Sequence, residues 1–142
     1  MVQPDGRLGV IDFQDALHGP LCYDPVSLLR DCYIRWPQEQ VTAWALDYYR
    51  HAQQLGLCPV QDEDVFLRWF DWMGLQRHLK VLGNFSRLAL RDGRPQYLAD
   101  MPLVLRYINE VLEQYPEFSD VKAWFQRELA PRIARQAWNL PA

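Results

Sequence analysis

Apolar residues return every three or four positions over most of this chain, and the opening stretch is the exception. Residues 1–3 and 7–11 flank an Asp5-Gly6 turn, and Val10 and Ile11 are β-branched. The pattern predicts a short hairpin whose second strand ends at Asp12. Asp24 followed by Pro25 then predicts a helix, with the acid as N-cap and proline at the first helical position. Val41, Trp44, Ala45, Tyr48, Ala52 and Leu55 mark the buried stripe of a second helix, which Gly56 and the Cys58-Pro59 step bring to an end. Acids at 62–64 open a third helix, where the macrodipole favours them. Its stripe is Val65, Phe66, Trp69, Phe70 and Met73, continued by Leu79 and Leu82. A further short helix over 84–90 precedes the turn at 91–95. Leu103, Tyr107, Ile108, Val111, Leu112 and Tyr115 predict the next helix, entered after Pro102. Ser119 is read as the cap of the last, with Val121, Trp124, Phe125 and Leu129 inward and Pro131 ending or kinking it. The expected class is mainly α with a short N-terminal β-hairpin, as one domain over residues 1–142.

Composition narrows what such a body does. Hydrophobic residues are 49% and aromatics 13% of the 142, with 6 Trp and 7 Tyr, which excludes disorder and suits a domain with a real core. A net charge of −3 with scattered basic residues provides no footprint for nucleic acid or an anionic membrane. No apolar stretch approaches the roughly 20 residues that span a bilayer, and no secretory signal precedes the first strand. Cys22, Cys32 and Cys58 are odd in number and spaced for neither zinc nor a disulfide framework, so three reduced thiols in a cytoplasmic protein are expected.

The chemistry concentrates where Gly9-Val10-Ile11 meets Asp12, with Asp15 three residues on. Phosphoryl transfer requires phosphates to be positioned and neutralised, and a hard divalent cation held by oxygen ligands does much of that. A carboxylate at the end of a rigid strand is a natural ligand for magnesium. Aspartate also follows strands because its side chain caps turns, and an Ile-Asp-Phe tripeptide alone favours that structural role.

The following stretch shifts the balance. Gly9-Val10-Ile11-Asp12-Phe13-Gln14-Asp15-Ala16 and Tyr23-Asp24-Pro25-Val26-Ser27-Leu28-Leu29 together resemble the aminoglycoside phosphotransferase family of kinase-like enzymes. Its pattern is a strand ending in Ile-Asp-Phe/Trp, a short loop, then an Asp opening a helix. Ser27 to Tyr33, Gln76 to Gly83, Arg91-Asp92-Gly93 and Tyr97-Leu98 look like the bacterial branch that phosphorylates N-acetylmuramate and N-acetylglucosamine at the anomeric hydroxyl, for cell-wall sugar recycling.

The resemblance implies a helical C-terminal lobe of a protein-kinase-like (α+β) fold, with ATP and Mg²⁺ as cofactors. It places the metal on Asp12 and makes Asp24 a buttress of the catalytic loop. In the family a lysine-bearing lobe and a His-x-Asp-x-x-x-x-Asn loop come before the metal strand, and neither has a candidate upstream of Asp12. By the same resemblance Met1 falls on the hydrophobic strand that directly follows the catalytic asparagine. The chain is therefore expected to be the C-terminal part of such a kinase, starting at an internal methionine and inactive alone, with its catalytic base upstream of Met1.

Candidate substrate residues each carry two readings. Asp15 reaches the metal's water shell or a sugar hydroxyl, or caps the loop. His18 bonds a substrate, or is merely solvated. Arg30 and Asp31 point apart on their helix, so one of them faces the cleft. Arg77, His78 and Lys80 lie on an aromatic helix, and they engage a carboxylate such as the lactyl group of N-acetylmuramate or pair with an internal acid. Trp36, Trp69 and Trp72 stack on a sugar or are buried.

The leading reading is an amino-sugar kinase part acting on a small-molecule sugar and a nucleotide. An aminoglycoside- or choline-type kinase part differs from it by several acids in the cleft, as a polycation needs. A non-catalytic helical interaction module is the third.

Overall fold

The computed structural model describes residues 2–9, 11, 17–136 and 138. Its helices are α1 (Tyr23–Leu29), α2 (Gln38–Gln54), α3 (Glu63–Leu90), α4 (Met101–Gln114), α5 (Ser119–Trp124) and α6 (Ala130–Ile133). Short 3₁₀ turns, Pro95–Asp100 and Pro116–Phe118, lead into α4 and α5, and a π-helical turn, Phe125–Leu129, joins α5 to α6.

The expected hairpin is not seen as two strands. Met1, expected in the first of them, lies outside the described residues. Among the described residues the pairing is one isolated antiparallel bridge, Val2 to Leu8, around a turn with Gly6 at φ 81°. Gln3 N–H donates to the Arg7 carbonyl at 2.8 Å, but Val2 and Leu8 are exposed, so no buried face reinforces the pairing.

The helix expected at Asp24-Pro25 begins slightly earlier. Tyr23 is its first residue, Cys22 occupies the N-cap position without a side-chain bond, and Asp24 sits in the first turn. The preceding turn, in which Tyr23 N–H donates to the Pro20 carbonyl at 3.0 Å, removes the need for an acidic cap. Pro25 is still within the turn whose N–H groups have no intrahelical acceptor.

In α2 the buried stripe is Val41, Ala45, Tyr49 and Ala52. Tyr49 takes the place expected for Tyr48, and Leu55 is exposed beyond the last turn. Gly56, at φ 67°, ends the helix: its N–H donates to the Gln53 carbonyl and Leu57 N–H reaches back to that of Ala52. That paired closure needs a residue tolerant of the left-handed conformation.

The third helix is capped as its acids predict. The Asp62 carboxylate accepts from the N–H groups of Asp64 (2.8 Å) and Val65 (3.4 Å). It then runs 28 residues without a break, absorbing the separate helix expected over 84–90. Phe66 and Phe70 fall inward as expected, while Val65, Trp69 and Leu79 are exposed.

Ser119 opens α5 as its first residue rather than as a cap, because the 3₁₀ turn before it already bends the chain. Pro131 neither ends nor sharply breaks the helical run. The π turn just upstream widens the coil where the proline ring would strike the carbonyl four residues back.

Two apolar clusters result. One joins α1, α2 and the first half of α3 around Val26, Ala45, Tyr49, Phe66 and Phe70. The other joins the second half of α3 to α4 and the C-terminal helices around Leu75, Val104, Ile108 and Phe125.

Candidate functional site

Asp12 and Asp15, expected at the metal and the substrate, lie outside the described residues. So does Met1, the residue before which the catalytic base is expected. The chain that follows the two acids comes back against α3. Pro20, Leu21 and Cys22 face Trp69, Trp72, Met73 and Gln76 across a groove of about 330 Å³. The α3 residues recur at three- and four-residue intervals, so one helix face presents two indoles and an amide. Among the described residues no carboxylate lines this groove.

A second groove, about 520 Å³, lies on the other side of α1, between Asp24, Pro25, Leu28, Trp36, Trp44 and Tyr48. Trp36 and Trp44 meet edge to face at 5.4 Å. Asp24 is exposed at this groove, where a polypeptide loop or a ligand hydroxyl has access to its carboxylate. Trp36, Trp69 and Trp72 are each more than a third exposed, so none is spent wholly on the core.

Arg30 and His78 are buried. Arg30 Nη2 pairs with Asp71 Oδ1 at 2.7 Å, and its guanidinium lies 5.0 Å from the Phe70 ring centroid. Asp71 Oδ2 in turn accepts from Tyr115 Oη at 2.6 Å and Gln114 Nε2 at 3.2 Å. Burial, and then the hydrogen bond to Asp71, push the Tyr115 hydroxyl's pKa upward. His78 Nε2 donates to the Arg30 carbonyl at 3.0 Å, and the imidazole lies flat on Tyr107, with centroids 4.6 Å apart. These two side chains join α1 to α3. From sequence an internal ion pair is the alternative for Arg77, His78 and Lys80; the buried pair found among the described residues is instead that of Arg30 with Asp71.

Arg77 differs. Its guanidinium lies 4.3 Å over the Tyr23 ring, and among the described residues no carboxylate is within ion-pair distance. Lys80, one turn on, is exposed, and His18 is exposed on the loop that reaches the first groove at Pro20.

Sequence reasoning did not single out Asp71, and it read Tyr115 as an apolar position of a helix rather than as a hydrogen-bond partner. The available signal was an acid immediately after Phe70 in an otherwise apolar stripe, in register to face the Arg-bearing end of α1. The cysteines are free. Burial pushes the Cys22 thiol up to about 12 and that of Cys32 up to about 11, so neither is an activated nucleophile. Among the described residues no cluster of three or more His, Cys, Asp or Glu could hold a metal, and no helix is long and apolar enough to cross a membrane.

Comparison with known proteins agrees with the motif reading. The phosphotransferase enzyme family matches residues 1–66. The chain is 48% identical over 118 residues to an N-acetylmuramate/N-acetylglucosamine kinase of Neisseria meningitidis, covering 83% of this chain and 35% of that protein. A protein of the same name from Pseudomonas putida is 46% identical over 122 residues, 85% of this chain and 36% of its own length. One from Caulobacter vibrioides is 34% identical over 121 residues, 85% and 31% respectively. The chain thus spans about a third of the length of the curated relatives it matches. No solved structure matches it.

Proposed function

We propose, from the resemblance to the phosphotransferase enzyme family over residues 1–66, that this chain is the helical acceptor-binding part of an ATP-dependent amino-sugar kinase. The acceptor is N-acetylmuramate or N-acetylglucosamine, phosphorylated at the anomeric hydroxyl as a step of cell-wall sugar recycling in the cytoplasm. The identity of 46–48% to kinases so named carries this reading.

The groove between residues 20–22 and α3 suits such an acceptor. Trp69 and Trp72 offer apolar faces to the C–H side of a pyranose ring, and the Gln76 amide offers both a donor and an acceptor to hydroxyl or acetamido groups. His18, exposed on the loop that reaches that groove, bonds a sugar hydroxyl, and Asp15 is the second acceptor-binding residue in this reading. Arg30 and His78 act on the acceptor indirectly, by holding α1 against α3.

Asp12 is the residue to hold Mg²⁺, which when bound neutralises the phosphate oxygens during in-line transfer. Asp24, open to the second groove, buttresses the loop that carries the base. These 142 residues contain no His-x-Asp-x-x-x-x-Asn sequence, so the base and the asparagine ligand come from another stretch of polypeptide.

A chimera tests this, in which the chain replaces the matching third of the Neisseria meningitidis kinase. ATP-dependent phosphorylation of N-acetylglucosamine is expected from the chimera, with a loss of about 100-fold or more on Asp12→Asn, and none from the 142 residues alone. A folded chimera inactive on both sugars, beside an active parent, would overturn the reading. Sugar-dependent turnover by the isolated chain would remove the need for a base supplied elsewhere.

A further inference from the structure

We propose that Arg77, seated on Tyr23, sets acceptor preference by receiving the carboxylate of an acid-bearing amino sugar. This rests on the amino-sugar reading and adds to it the residue that separates the two acceptors.

The case begins with how the protein treats its cations. Four described arginines are at least partly withdrawn from solvent: Arg30, Arg35, Arg68 and Arg77. Arg30 pairs with Asp71 at 2.7 Å, Arg35 with Glu110 at 2.9 Å, and Arg68 with Glu117. Removing a guanidinium from water is unfavourable unless an opposite charge or hydrogen-bond acceptors replace the lost hydration. Arg77 is the exception, since among the described residues its partner is an aromatic ring alone.

The contact with Tyr23 engages no hydrogen-bond acceptor, leaving the guanidinium N–H groups for a carboxylate in bidentate geometry. The location agrees. Tyr23 directly follows Cys22, and Arg77 directly follows Gln76, and Cys22 and Gln76 line opposite walls of the smaller groove. Lys80, exposed one turn further along α3, adds positive potential on the same side, with no acid among the described lining residues to oppose it.

The chemistry of the two sugars supplies the occupant. N-acetylmuramate is N-acetylglucosamine with a lactyl ether, and so carries one carboxylate at neutral pH. A half-buried guanidinium without a described acid partner, one residue along α3 from the Gln76 that lines a sugar-sized groove, matches that difference.

The experiment measures kcat/KM for both sugars with the chimera described above, before and after Arg77→Met and Arg77→Lys. The preference for N-acetylmuramate over N-acetylglucosamine is expected to fall by about 10- to 100-fold in the Met variant, as loss of a charge-assisted pair would give, and by less in the Lys variant. Thermal melting by circular dichroism should stay within a few degrees, because Arg77 has no ion pair among the described residues to lose. An unchanged preference in the Met variant would overturn the proposal. A chimera inactive on both sugars before any substitution sinks the amino-sugar reading first, and this inference with it.

Discussion

At the scale of single residues, His78 shows how a polar side chain chosen for chemistry from sequence can be committed to the interior. Its Nε2 donates to the Arg30 carbonyl, and its Nδ1 is buried without a partner among the described residues, so the protein accepts the neutral ring and offers nothing to a second proton. Burial, with Arg30 and Arg77 as like charges, holds its pKa below the ordinary 6.5, although the bond to Arg30 opposes the shift. The unfolded chain therefore binds a proton at a pH where the folded chain does not. Stability contributed by neutral His78 is complete above about pH 6.5 and is lost as pH falls from there through the depressed folded value. Urea denaturation of the wild type and His78→Gln, whose amide can keep the bond to Arg30, checks this at about pH 7.5 and about pH 5.5. The wild type should lose more stability than the variant between those conditions. Parallel losses would mean that protonation of His78 does not decide the acid response.

Elements differ in how far the sequence reveals them. The spacing of Tyr107, Ile108, Val111 and Leu112 places α4 almost to the residue, since its polar and apolar faces are cleanly divided. The face of α2 is harder to read. Tyr48 and Tyr49 are adjacent and chemically equal, and each donates its hydroxyl to a loop carbonyl, Leu21 and Val60 respectively; what sets Tyr49 apart is its closer ring contact with Phe66, 4.9 Å against 6.5 Å between centroids. The length of α3 was hidden for another reason. Gly83 and Asn84 are poor helix formers, yet Phe85, packed against Tyr97 and Tyr33, carries the helix across them. Gly83 is therefore a weak point retained by tertiary packing. A Cβ built there meets nothing within 4 Å, so Gly83→Ala should stabilise the protein by about 0.5–1 kcal/mol through backbone entropy alone. A denaturant midpoint that stays put or falls would show that α3 is not continuous through this position.

For the whole molecule, the question is whether two apolar clusters behave as one body. Each has its own helices, and only α3 contributes to both. Besides that helix they are linked by the Arg35–Glu110 pair, by the Tyr107 hydroxyl donating to the Ile34 carbonyl, and by a polar chain from Arg30 on the α1 side, through Asp71 on α3, to Gln114 and Tyr115 at the end of α4. The sequence announced the clusters through their spacing but not this connection, because Asp71 lies 41 residues from Arg30 and 44 from Tyr115 and no local rule relates them. The same limit applies to the candidate site, where Trp69, Trp72 and Arg77 were legible as types, while the meeting of the indoles with residues 20–22 and of Arg77 with Tyr23 was not. Asp71→Ala would strand a buried guanidinium and a half-buried hydroxyl at once, with a loss of about 3–5 kcal/mol expected. Because the network spans both clusters, helicity and tryptophan fluorescence should shift together, the latter reporting Trp44 beside one cluster and Trp138 beside the other. Adding Arg30→Met and placing Leu at position 71 should recover most of the loss, since an apolar pair leaves no charge unpaired. If the two signals instead separate in Asp71→Ala, the clusters are independent units, and the network holds α1 in place without coupling the halves of the protein.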